Sequence, residues 1–172
     1  MALVKGQNSY VTLSEADSYF DDRVDVSAWV EAGEELKEQS LVTATHLLDE
    51  LHWEGQVRAD SQALSFPRIG SFRDPSRGVR VQFSSYTFTD GNNEAEVGLA
   101  RDIRLLRRAT YELAYHLVNN NGLLDRTGSV TNIKVGSIAL TEVVDAAAFP
   151  RTIRKIVERM LKNQGSKYWR GW

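Results

Sequence analysis

The sequence predicts a mainly α protein: a compact helical bundle with a small β-hairpin at about 130–143 and a partly β, loop-rich insertion at about 70–95. Three observations carry that expectation. Apolar residues recur every three and four positions over 34–51 and 96–119, the period of one buried helix face. Alternation with period two is confined to two short stretches. The chain has 172 residues, 42% hydrophobic and 26% charged, enough for one core. Residues 1–163 are therefore read as a single domain, with 164–172 as a C-terminal docking tail.

The elements follow in chain order. Ser14 precedes an apolar-aromatic run (Ala16, Tyr19, Phe20) and has Asp17 three residues on, a capping-box-like start for a helix over about 14–23. A short turn over Ser27–Ala32 would bury Trp29. After Gly33, the stripe Leu36, Ser40/Leu41, Ala44, Leu47/Leu48, Leu51 predicts a helix over 34–51, with Glu34 and Glu35 favourably placed in its first turn. Residues 52–96 are the least regular. There Val79, Val81 and Phe83 alternate with polar residues, and Asp90-Gly91 offers a turn. In the helix expected over 96–119, Leu99, Ile103, Leu106, Thr110, Leu113 and Leu117 share one face, and Asn119-Asn120-Asn121-Gly122 stops it. Within 130–143, Gly136-Ser137 suits a two-residue hairpin turn. That register pairs Val135 with Ile138, Ile133 with Leu140 and Lys134 with Ala139. Pro150 opens a last helix to about 163, lined on one side by Ile153, Ile156, Val157 and Met160.

Composition excludes several chemistries. There are no cysteines and three histidines, so disulfides and thiolate sites are absent, and His46, His52 and His116 share no helix face. No phosphate loop, His-Glu-x-x-His helix or nucleophile elbow occurs. The expectation is of a protein that is not an enzyme, with no catalytic residue, no metal ligand and no cofactor. No apolar run reaches a membrane span, and Met1–Gly6 lacks the build of a signal peptide. Assembly in a cytoplasm is expected, with no membrane partner.

The net charge of −2 is unevenly spread. Residues 1–60 hold four Lys/Arg against thirteen Asp/Glu, whereas 150–172 hold seven against one. Such a gradient suits packing between copies. Three surfaces stand out. Arg101, Arg104, Arg108, Tyr111 and Tyr115 fall opposite the apolar face of the 96–119 helix, reading either as a subunit interface or as a single-strand-binding stripe. The last helix and tail place Arg154, Lys155, Arg159, Lys162 and Arg170 beside Tyr168, Trp169 and Trp172, aromatic anchors for a partner or for the chain's own core. The hairpin tip Lys134, Val135, Gly136, Ser137, Ile138 would project toward neighbours.

The order of motifs adds a resemblance. The opening Asn8-Ser9-Tyr10-Val11-Thr12-Leu13-Ser14-Glu15-Ala16-Asp17-Ser18-Tyr19-Phe20, the later Leu64-Ser65-Phe66-Pro67-Arg68 and the hairpin Lys134-Val135-Gly136-Ser137-Ile138 resemble, in that order, a phage family often labelled DnaT-like single-stranded-DNA-binding. Its members sit among head–tail connector genes of tailed phages. The resemblance implies a structural virion protein: an adaptor that forms a homo-oligomeric ring, commonly of twelve copies, on the portal protein. Its basic C-terminal segment would dock there. The next neck or tail-completion protein would sit below, and packaged DNA would pass through without sequence-specific binding. The implied location is the virion neck, and the alternative is a single-stranded-DNA-binding replication accessory.

Overall fold

The computed structural model describes residues 2–84, 100–120, 133–135, 138–140 and 150–162. Five helices are present in this part: α1 (Leu13–Asp21), α2 (Ser27–Glu31), α3 (Glu34–Asp49), α4 (Arg101–Asn119) and α5 (Arg151–Val157), the last followed by a 3-10 turn, Glu158–Met160. Six short strands form three antiparallel pairs: β1 (Gln56–Val57) with β2 (Arg68–Ile69), β3 (Ser71–Asp74) with β4 (Val79–Gln82), and β5 (Ile133–Val135) with β6 (Ile138–Leu140). The protein is mainly α with small β-hairpins, as its periodicities predict.

The cap of α1 sits two residues earlier than Ser14. Thr12 accepts a hydrogen bond from the Glu15 amide, and Glu15 reaches back to the Thr12 amide, completing a capping box. A glutamate has the reach for this reciprocal bond that Asp17 lacks. Asp17 instead accepts from the Trp29 indole at 2.9 Å and from Lys37 at 3.1 Å, tying α1 to α2 and α3.

The core lies between α3 and α4, with α2 and α5 against α4. Ile103, Leu106, Thr110, Leu113 and Leu117 are all buried on α4, as their shared face predicts; Leu99 lies outside the described residues. On α3, Leu41, Ala44 and Leu48 are buried, but Leu36 is 49% exposed and lies outside the packed stripe. A second, aromatic part of the core runs under the strands. Trp53 and Phe66 meet edge to face at 4.8 Å, Phe66 and Phe83 at 5.8 Å, and Phe72 and Phe83 at 5.1 Å. Such ring pairs add to the gain from burial.

Residues 65–70 are built for this packing. The Phe66–Pro67 peptide is cis, and Arg68 donates to the carbonyls of Glu54 (2.7 Å), Gly55 (2.8 Å) and Ser65 (3.1 Å). Phe66-Pro67-Arg68 thus forms a backbone clamp whose arginine supplies donors to loop carbonyls. Gly55 has φ +71, and a Cβ there would run into the Ile69 carbonyl. The C-terminal helix is fastened to the same loop: Glu54 donates its amide to Met160 and Lys162 to His52, both at 2.8 Å.

The first hairpin differs from the sequence expectation. Val79–Gln82 pairs backward with Ser71–Asp74, through a turn over Pro75–Gly78. Asp90-Gly91 lies outside the described residues. Asp74-Pro75 supplies the turn chemistry, an aspartate at the first position and a proline at the second. The second hairpin has the predicted register, Ile133 opposite Leu140, Lys134 opposite Ala139 and Val135 opposite Ile138; Gly136 and Ser137 lie outside the described residues.

Glu15 carries more than its cap. Its carboxylate also meets Lys5 at 2.7 Å and Arg107 of α4 at 2.5 Å, with all three side chains almost wholly buried. Thr12→Ala should cost about 1 kcal/mol in urea denaturation, the usual worth of a cap. Glu15→Ala should cost about 3 kcal/mol, because it also withdraws the anion from two interior cations. The reverse order would show that the cap, not the ion cluster, holds α1 to α4.

Candidate functional site

The β3–β4 hairpin has two unlike faces, as strand alternation requires. Phe72 and Asp74 point inward and are fully buried, with Val81 packed beside them. The outer face carries Ser71, Arg73, Arg80 and Gln82, and Arg73 stands directly opposite Arg80. Both arginines are exposed, as is Arg77 in the turn. Like charges directly opposed across a strand pair are destabilising in the free protein. Arg80 is held by two bonds to Ser71, from Nε to Oγ at 3.0 Å and from a terminal nitrogen to the carbonyl at 3.1 Å.

Beneath this face, Asp74 binds three elements together. It accepts from the Ser76 amide at 3.1 Å and from the Ser76 hydroxyl at 2.7 Å. It also pairs with Arg101 of α4 at 2.5 Å and with Arg159 of the 3-10 turn at 2.9 Å. Burial alone would raise its pKa; the Ser76 hydrogen bonds and the charges of Arg101 and Arg159 outweigh burial and hold it below the ordinary 3.8. Asp102, next on α4, accepts from the amide (2.9 Å) and hydroxyl (3.1 Å) of Ser84, pinning the chain after β4 to the helix.

The Arg/Tyr face of α4 is not one continuous surface. Tyr111 is only 1% exposed and stacks on Tyr19 at 4.6 Å. Tyr115 is half-buried and donates to the Asp25 carbonyl at 2.7 Å. Arg101 is consumed by Asp74 and Ser76. Arg104 and Arg108 remain exposed. These five residues fall opposite the apolar stripe, but α1, α2 and the hairpin pack there as well. One carboxylate of the acidic front meets α4 within this chain, Glu15 holding Arg107, while Glu112 on α4 accepts from Arg23 and Tyr19, both at 2.6 Å.

At the C-terminal end, Arg154, Lys155 and Lys162 are exposed and Arg159 is tied to Asp74. Tyr168, Trp169, Arg170 and Trp172 lie outside the described residues, as does the turn of the second hairpin. Arg73, Arg77 and Arg80 are absent from the sequence-based candidates. Their signal was present in the turn chemistry of Asp74–Gly78, which makes Arg73 and Arg80 cross-strand neighbours. The described residues hold no cluster of three or more His, Asp or Glu suited to a metal ion and no helix long and apolar enough to cross a membrane.

Residues 2–82 match one protein-family model, described as "Putative DnaT-like ssDNA binding protein". The match ends with β4 and spans just under half of the chain. No curated protein and no solved structure matches. This finding corrects the connector expectation. The description names single-stranded DNA and no portal, neck or ring, so the structural virion role falls, and with it the portal, ring and neck partners and DNA passing through unbound. The DnaT-like label, the weaker alternative from the sequence, is the one supported.

Asp74→Asn should lower the melting temperature near neutral pH. Because folding depresses the Asp74 pKa, its stabilisation is complete above the ordinary value and is lost as pH falls through the folded value. The melting-temperature gap between wild type and Asp74→Asn should therefore be constant around about pH 7 and close only at acid pH. A gap that persists unchanged into strong acid would remove Asp74 as its source.

Proposed function

We propose that the protein binds single-stranded DNA through the phosphate backbone, using the outer face of the β3–β4 hairpin. The observation that carries this reading is the Arg73–Arg80 pair, two guanidinium groups opposed on an exposed face inside the matched segment. A phosphate between them turns a repulsive pair into two charge-assisted contacts. Arg77 extends the site at the turn. Arg104 and Arg108 on α4 are further exposed cations.

The overall charge of −2 does not oppose this, since binding responds to the local field rather than to the sum. Phe72 and Phe83, the aromatic rings of the hairpin region, are buried in the core. The proposed binding is therefore electrostatic and tolerant of sequence, and the protein acts by binding without catalysis.

A fluorescent oligothymidylate titrated at several salt concentrations tests the reading. The affinity should fall steeply with salt, by about 0.7 in log-log slope for each phosphate neutralised. The triple variant Arg73→Ala, Arg77→Ala, Arg80→Ala should flatten the slope by about 2, one step for each lost cation. Wild-type protein that fails to bind, or a triple variant with an unchanged slope, would overturn it.

A further inference from the structure

A cleft of 540 Å³ lies between the hairpin and the C-terminal helix. Arg73 and Arg80 stand on one wall, and Lys155 and Arg159 on the other, with Glu54 and Glu158 at the lining. Four cations and two carboxylates line it, an excess of two positive charges. The volume falls in the range of small-ligand sites, about 300–1,000 Å³. Pro75 and Leu161 supply apolar edge, the contact a sugar ring takes.

The cations are not equivalent. Arg159 is anchored on Asp74 and Arg80 on Ser71, so both are fixed before any ligand arrives. Among the described residues the side chains of Arg73 and Lys155 make no hydrogen bond or ion pair, and they stand on opposite walls. An arrangement of two fixed and two uncommitted cations around a nucleotide-sized space is suited to a phosphate group, whose oxygens accept from several donors at once. Resting on the DNA-binding reading above, we propose that this cleft is a nucleotide subsite, with the phosphate held between Arg73 and Lys155. The site would then reach beyond the matched segment, because its second wall comes from α5 and the following turn.

Lys155 is the residue that separates this proposal from its parent, since it is exposed, on α5 and outside the hairpin. Lys155→Glu and Lys155→Ala should melt as wild type does. Each should weaken oligothymidylate binding by about tenfold at low salt, the loss expected for one charge-assisted contact. Thymidine 5′-monophosphate should bind the wild-type protein, as followed by NMR chemical shifts, and thymidine without its phosphate should not. Tighter binding of a 5′-phosphorylated oligonucleotide than of its 5′-hydroxyl form would support a strand end in the cleft, and equal binding an internal phosphodiester. If both Lys155 variants bind DNA as wild type does while the hairpin triple variant fails, the cleft proposal falls and the DNA-binding reading stands. If wild type ignores DNA yet binds the mononucleotide through Lys155, the cleft stands and the DNA reading falls. Binding of neither ligand overturns both.

Discussion

A buried carboxylate at Asp74 is the constraint on which the surface of this protein depends. A carboxylate taken out of water is costly unless charge and hydrogen bonds replace its hydration. Here the replacements come from three places: Ser76 in the turn, Arg101 at the start of α4, and Arg159 after α5. Satisfying one ion therefore fixes the hairpin against two helical elements far apart in sequence. The outer face, with Arg73 and Arg80, takes its position from the anion on the inner face.

Glu15 plays the corresponding part at the other end of the core. It completes the α1 cap, and the same carboxylate meets Lys5 and Arg107. Pairs of this kind are weak sources of net stability, because desolvation offsets most of the attraction. They are strict about geometry, however, since an interior charge left without its partner is heavily penalised. Hydrophobic burial along α3 and α4 supplies the driving force, while Glu15 and Asp74 fix which helix and which hairpin meet.

The hairpin itself is short, four residues a side, and a lone hairpin is marginal in water. What stabilises it is the aromatic run Phe72, Phe83, Phe66 and Trp53 beneath, with Arg68 saturating the carbonyls of the loop that holds those rings. A face that is apolar below and cationic above is well placed to carry an opposed arginine pair, because the packing underneath offsets the repulsion. Phe66-Pro67-Arg68 belongs to this support: Phe66 is buried among the rings, and Arg68 is spent on backbone carbonyls.

Much of the fold is determined by local sequence. The helical periodicities located α3 and α4, and on α4 the predicted Ile103, Leu106, Thr110, Leu113 and Leu117 are buried. The Gly136-Ser137 turn signal anticipated the register of β5 and β6. The charge gradient was equally legible, but the partners of single charges were not: Arg107 finds Glu15, and Arg23 finds Glu112. Periodicity reports which residues share a face and is silent on what covers that face. Hence Tyr111, opposite the apolar stripe, is interior because Tyr19 stacks on it. For the same reason the pairing of Arg73 with Arg80, and of both with the far wall at Lys155, was decided only in three dimensions, where β3, β4 and α5 come together around Asp74.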